Sequence, residues 1–157
     1  MASFKNLALT GIATAACAVA GSAATSRSVG SRWYESLDKP AWQPPGWAFP
    51  VAWTTLYLDI AWTTAEAMDH MTPRERAALM RALVINLGLN AGWCWVFFDR
   101  RLLNLGVLVA ASLAVSSADL ARRAGGVRRG LGRRLVPYAL WCAFATALTW
   151  SIARRNG

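Results

Sequence analysis

Apolar residues fill five stretches of this chain, each bounded by charge, proline or glycine. The first, 7–25, carries no charged residue and is long enough to cross a bilayer. Four more follow at about 46–67, 74–98, 102–120 and 135–153. The pattern predicts an all-α integral membrane bundle of five transmembrane helices, in a single transmembrane domain over 1–157. The first stretch admits two readings. Gly11, Ala15, Ala16, Ala20 and Gly21 suit a closely packed span, while Ala18-Val19-Ala20 also resembles a signal-peptide cleavage site. Thr72-Pro73-Arg74-Glu75 reads as a helix start, with Thr72 as N-cap, Pro73 in the first position and Glu75 three residues after the cap. Gly106, Ala110, Ala114 and Ala118 form a small-residue seam on the fourth span, and 122–134 reads as a Gly/Arg loop with six arginines.

The segment between the first two spans breaks this rhythm. Residues 33–57 hold four of nine tryptophans and four of six prolines. Pro40, Pro44 and Pro45 lack amide donors and keep their predecessors out of the helical region, so a stiff extended loop is expected up to Pro45. A helix can begin beyond it, with Pro50 tolerated in the first turn. Such a loop suits a lid over a flat, partly polar ligand; the alternative is an interfacial belt of Trp and Tyr at headgroup level.

Composition supports the membrane assignment, with 55% hydrophobic residues and only 16% charged. The net charge of +9 does not imply nucleic acid, because the arginines punctuate apolar runs instead of forming one basic stripe. Lipid phosphate is the expected partner. With five spans, ten basic residues fall on the N-terminal face and seven on the other, a slight bias for an internal N-terminus and an external loop. Cys17, Cys94 and Cys142 stand alone in apolar runs and read as packing residues. No metal cluster, hydrolase set or phosphate loop is present, and the sole histidine, His70, reads as a solvated loop residue.

Three spans carry stripes at helical spacing: Trp53, Tyr57 and Thr64; Asn86, Asn90, Trp93 and Phe97; Tyr138, Trp141, Ala145 and Leu148. The asparagines need partners and should face the interior. The stripes either wall a pocket beneath the loop or pack as ordinary interhelical contacts. Asp59 and Glu66 share another face of the second span. Asp59 requires a donor or a proton at membrane depth, Glu66 is near enough the helix end to reach water, and Asp119 should pair with Arg122 or Arg123.

Three blocks resemble the translocator proteins, also called tryptophan-rich sensory proteins or peripheral-type benzodiazepine receptors. They are Trp33-Tyr34, Lys39-Pro40, Trp42, Pro44-Pro45, Trp47, Phe49-Pro50, Trp53-Thr54 and Leu56-Tyr57; then Leu89-Asn90, Trp93, Phe97-Phe98 and Arg101; then Pro137-Tyr138, Trp141, Phe144-Ala145 and Leu148. The resemblance implies a five-helix bundle, often a homodimer, in a bacterial-type membrane. It implies binding of tetrapyrroles such as protoporphyrin IX and haem as ligands, with no cofactor required, linked to porphyrin handling and stress response. Carried to matching positions, the ligand site comprises Tyr34, Trp42, Pro44, Pro45, Trp53, Asn90, Phe97, Trp141 and Ala145. Trp53 and Trp141 would be the reactive residues if, as is associated with some bacterial members, bound porphyrin is broken down photo-oxidatively; a porphyrin transporter is the third reading. The ring would stack on Trp42, Trp53 and Trp141, with its carboxylates near Arg32 or Lys39. The sequence departs from the family at Ala41, where some relatives have Trp, and at Thr149, where Asn usually follows Leu148. Trp150 replaces the tyrosine of the animal sterol motif, so sterol binding does not carry over.

Overall fold

The computed structural model describes residues 1–157 as six α-helices without a strand. They are α1 (Phe4–Ser28), α2 (Arg32–Ser36), α3 (Ala48–Asp69), α4 (Pro73–Cys94), α5 (Leu103–Val127) and α6 (Arg129–Asn156), with α4 prolonged by a π-helical turn over Trp95–Asp99. The five long helices close a ring: α1 packs on α3 and α4, α4 on α5, α5 on α6, and α6 on α3.

Burial explains why they pack this way. On α5 the buried positions are Gly106, Ala110, Leu113, Ser117, Leu120 and Ala124. On α6 they include Leu131, Leu135, Tyr138, Cys142, Ala145, Thr149 and Ile152. On α4, Leu79, Leu83, Asn86, Asn90 and Trp93 follow suit. Each series alternates steps of four and three, the seven-residue rhythm that keeps one seam facing a partner through left-handed crossing. The small-residue seam expected on α5 is therefore corrected. Gly106 and Ala110 lie in it, but a strict step of four drifts around the helix, and Ala118 is exposed.

Four helices are long and apolar enough to cross a membrane: α1, α4 with its π-helical extension, α5 and α6. Trp, Tyr, Thr and three acids keep α3 outside that set, although its 22 residues suffice in length. Thr72 and Glu75 form the expected capping box, with Thr72 Oγ1 accepting from the Glu75 amide and Glu75 Oε2 from the Thr72 amide. Pro50 falls in the first turn of α3 as expected. The three cysteines are free and buried. Thr10 Oγ1 on α1 donates to Ala61 O at 2.8 Å, tying that helix into the ring.

The Gly/Arg segment 122–134 is not a loop. Helix α5 runs to Val127 and α6 starts at Arg129, leaving Arg128 as the sole link. Glycine disfavours helix by about 1 kcal/mol, but here it permits contact that no other residue allows. A Cβ on Gly132 would stand 2.6 Å from Gly125 Cα and 2.8 Å from Ala121 O. Four of the segment's arginines are also engaged: Arg122 and Arg123 hold Asp119, as anticipated, Arg134 reaches Glu66 at 3.2 Å, and Arg128 lies near the same carboxylate. Glu66 also lies 3.6 Å from Arg128, so it is paired and not simply solvated.

The N-terminus of α1 is fixed to the end of α3 by Asp69. Its carboxylate accepts from the Ser3 amide and hydroxyl and from Asn6 Nδ2 at 2.7 Å. These donors, the Ser3 hydroxyl foremost, hold the Asp69 carboxyl below its ordinary range.

Two predictions follow from these contacts. Gly132→Ala should force the α5–α6 turn apart and cost about 1–3 kcal/mol of stability in detergent, as overpacking does elsewhere. Gly126→Ala, with open space around it, should be neutral or gain up to about 1 kcal/mol. Equal melting temperatures for the two would contradict this account of the turn. Asp69 has a depressed folded pKa, so its contribution is complete above the unfolded carboxylate value of about 3.9 and lost as pH falls through the lower folded value. Thermal melts of wild type and Asp69→Asn should therefore differ at pH 7 and converge toward pH 2.

Candidate functional site

The aromatic stripes of α3, α4 and α6 meet at one level of the bundle. Chain direction explains the arrangement. Helix α3 descends from the proline-rich loop while α4 and α6 climb toward it, so Trp53, Trp93 and Trp141 form a layer. Tyr57, Asn90 and Tyr138, each one turn deeper, form the layer beneath. Trp53 is the centre. Its ring lies 6.3 Å from Trp93, 6.4 Å from Trp141, 6.4 Å from Tyr138 and 5.6 Å from Tyr57, all within aromatic contact range.

The lower layer is polar and closed. Tyr57 Oη donates to Asn90 Oδ1 at 2.9 Å, and Asn90 Nδ2 donates to Tyr138 Oη at 3.2 Å. Tyr138 Oη donates to Asn86 Oδ1 at 2.7 Å, and Asn86 Nδ2 reaches Ser117 Oγ at 3.0 Å. Both asparagines face the interior, as their need for partners demanded. Asn90 is thus committed to two tyrosines.

Above the tryptophans lies the loop joining α2 to α3. Leu37 and Pro40 are buried, and the Asp38 amide donates to Asn156 Oδ1 at 2.8 Å while Asn156 Nδ2 donates to Asp38 O at 3.0 Å. Those bonds pin the loop to the end of α6. Farther on, Trp42 packs edge-on against Phe144 at 5.8 Å and Phe49 against Trp141 at 6.1 Å. Tyr34 lies 5.7 Å from Phe98, and Trp33 lies 6.2 Å from Phe97. The π-helical turn inserts an extra residue at this level, and the consecutive Phe97 and Phe98 rings both join the cluster. Lys39 sits over the Tyr34 ring at 4.4 Å and donates to the Tyr34 carbonyl.

Of the sequence-derived candidates, Tyr34, Trp42, Trp53, Phe97 and Trp141 therefore belong to one connected set of rings. Ala145 is buried one turn above Trp141 on α6, and Asn90 lies below the tryptophans. Pro44 is half-buried and Pro45 exposed, at the turn where Pro45 O accepts from the Ala48 amide to start α3. Thr149 donates to Ala145 O in its own helix. Asp59 accepts from Thr63 Oγ1 at 3.0 Å on the same helix. His70 is exposed beyond the far end of α3, about 25 Å from Trp53 at the helical rise.

Three polar atoms in this region are buried without a partner: Trp93 Nε1, Trp141 Nε1 and Gln43 Oε1. By contrast, Trp95 Nε1 donates to Ala20 O at 3.0 Å. An unmet buried group costs about 1–3 kcal/mol. Burial raises the Tyr34 phenol above its ordinary pKa, and the nearby Gln43 side chain opposes that shift. Trp33, Gln43, Phe49, Trp93, Phe98 and Phe144 join this region without being among the candidate ligand residues. Phe144 was readable there, three residues beyond Trp141 on one face, whereas Gln43 becomes notable only through its burial.

The chain is similar in sequence to several known proteins. The TspO/MBR family profile matches residues 9–155. Protein CrtK of Rhodobacter capsulatus is 36% identical over 96% of this chain and 94% of its own. The human translocator protein is 32% identical over 81% of this chain and 76% of its own. The tryptophan-rich sensory protein of Cereibacter sphaeroides is 29% identical over 79% and 77%. A helical membrane protein with an aromatic layer under a proline-rich loop, this chain belongs to the TspO/MBR family.

Proposed function

We propose that the aromatic layer beneath the loop binds tetrapyrroles, protoporphyrin IX or haem, and that the protein senses and handles these pigments under stress. One observation carries the reading: rings from three helices and the loop converge where two indole N–H groups and one amide oxygen lack partners. Large π-surfaces favour a planar conjugated ligand, and the free donors favour one with acceptor groups. The indoles touch one another, so such a ligand enters only when the loop lifts and Trp42 and Trp141 part from their neighbours. Exposed Arg32 lies at the rim for a propionate, whereas Lys39 must first leave Tyr34. His70 is too remote to ligate haem iron within the layer.

Helix α3 is the fifth span in this proposal, since it closes the ring and carries the central Trp53. Five spans would set the loop opposite the N-terminus, and the slight excess of basic residues, ten against seven, favours an internal N-terminus. A homodimer belongs to the same reading. Photo-oxidative breakdown of the pigment is the second reading, favoured by the direct contact of Trp53 with Trp93, Trp141 and Tyr138, which surrounds any excited ligand with oxidisable rings.

Titration of the detergent-solubilised protein with protoporphyrin IX should quench tryptophan emission saturably. Trp53→Ala and Trp141→Ala should each weaken binding by roughly five- to tenfold, the loss of about 1 kcal/mol or more of ring contact. Quenching that never saturates, or is unchanged in both variants, would overturn the proposal. Illumination in air should yield a new absorbing species if the protein degrades the pigment, whereas a stable spectrum leaves binding alone.

A further inference from the structure

The end of the bundle away from the loop carries ten of the seventeen basic residues, and most have no role in the aromatic layer. Between α4 and α5 at that end lies a recess of about 320 Å³, lined by Arg81, Ala82, Ile85, Ser116, Asp119 and Arg123 among others. It adjoins a second recess of about 500 Å³, with Ala78 and Arg123 common to both and Arg122 on the far wall. From these contacts we infer that this cleft is a binding site for the headgroup of an anionic phospholipid, with an acyl chain lying along the groove between α4 and α5.

The arginines are held in a receptive state. Asp119 takes Arg123 through its Nε at 2.6 Å, leaving the Nη edge of that guanidinium without a protein partner. Arg122 is held by the same carboxylate through Nε at 3.1 Å and Nη2 at 2.6 Å. Arg81 is exposed and makes no ion pair. Glu75, on the second wall, has its carboxylate engaged by the Thr72 cap. Among the Arg, Asp and Glu side chains of the lining, three arginines against Asp119 and Glu75 leave one net positive charge, matched to one phosphodiester. A forked guanidinium is the preferred partner for such a group.

The groove also has an apolar side. Ala82 and Ile85 line the recess, and Ile85 is 62% exposed, with Val84 of α4 and Leu108 and Val115 of α5 also bare on these helices. A free anion would gain nothing from that surface, while a lipid tail would cover it. Depth is suitable, because Arg81 and Asp119 lie about two turns inside the ends of their helices.

Native mass spectrometry of the full chain, titrated with dioleoylphosphatidylglycerol against dioleoylphosphatidylcholine, tests the assignment. A saturable phosphatidylglycerol adduct is expected, weakened about fivefold in Arg81→Gln. Arg123→Gln should weaken it at least as much, with melting temperature recorded because that change also frees Asp119. Arg133→Gln, an exposed arginine at the same end outside both recesses, should leave it nearly unchanged. Equal retention of both lipids, equal loss in Arg81→Gln and Arg133→Gln, or displacement of the lipid by millimolar inorganic phosphate would each overturn the inference.

Discussion

The hydrogen-bonded ladder Tyr57–Asn90–Tyr138–Asn86–Ser117 is the constraint on which this bundle depends. It joins α3, α4, α6 and α5 in the middle of an apolar assembly. Bonds of this kind between membrane helices average only about 0.6 kcal/mol each. Their effect lies in the alternatives they remove. A slip of either neighbour along α4 would leave an amide or phenol without a partner in a region where water cannot serve. Dispersion and apolar packing tolerate several registers; the ladder tolerates one.

That register has a consequence one turn higher. Because α3 runs opposite to α4 and α6, fixing Tyr57, Asn90 and Tyr138 at one depth also fixes Trp53, Trp93 and Trp141 at the next. The loop then closes on this layer through Trp42 and Phe49 and is held at its other end by Asn156. The polar groups below are satisfied, whereas the Trp93 and Trp141 indole donors within the layer are buried without partners. The lipid-facing arginines at the far end are separated from it by most of the bundle's length.

Much of this was legible in the sequence. The long apolar runs, the capping box at Thr72, the pairing of Asp119 and the inward asparagines all follow from local chemistry. The stripes of Trp, Tyr and Asn at helical spacing also placed the right faces together. What stayed hidden depends on distant neighbours. Gly125 and Gly132 looked like loop residues because their low helix propensity is local, while the close approach that they permit belongs to two helices. Glu66 looked solvated because Arg128 and Arg134 lie more than sixty residues away. The π-helical turn at Trp95–Asp99 has no compositional mark, yet it accompanies the inward placement of both Phe97 and Phe98.

The dependence of the tryptophan layer on the ladder is tested most directly by near-ultraviolet circular dichroism of Asn90→Leu, a substitution that keeps the branched side-chain skeleton and removes both bonds to the tyrosines. The account predicts loss of the aromatic bands at unchanged far-ultraviolet helicity, as Trp53, Trp93 and Trp141 lose their fixed geometry. Aromatic bands identical to wild type would contradict it.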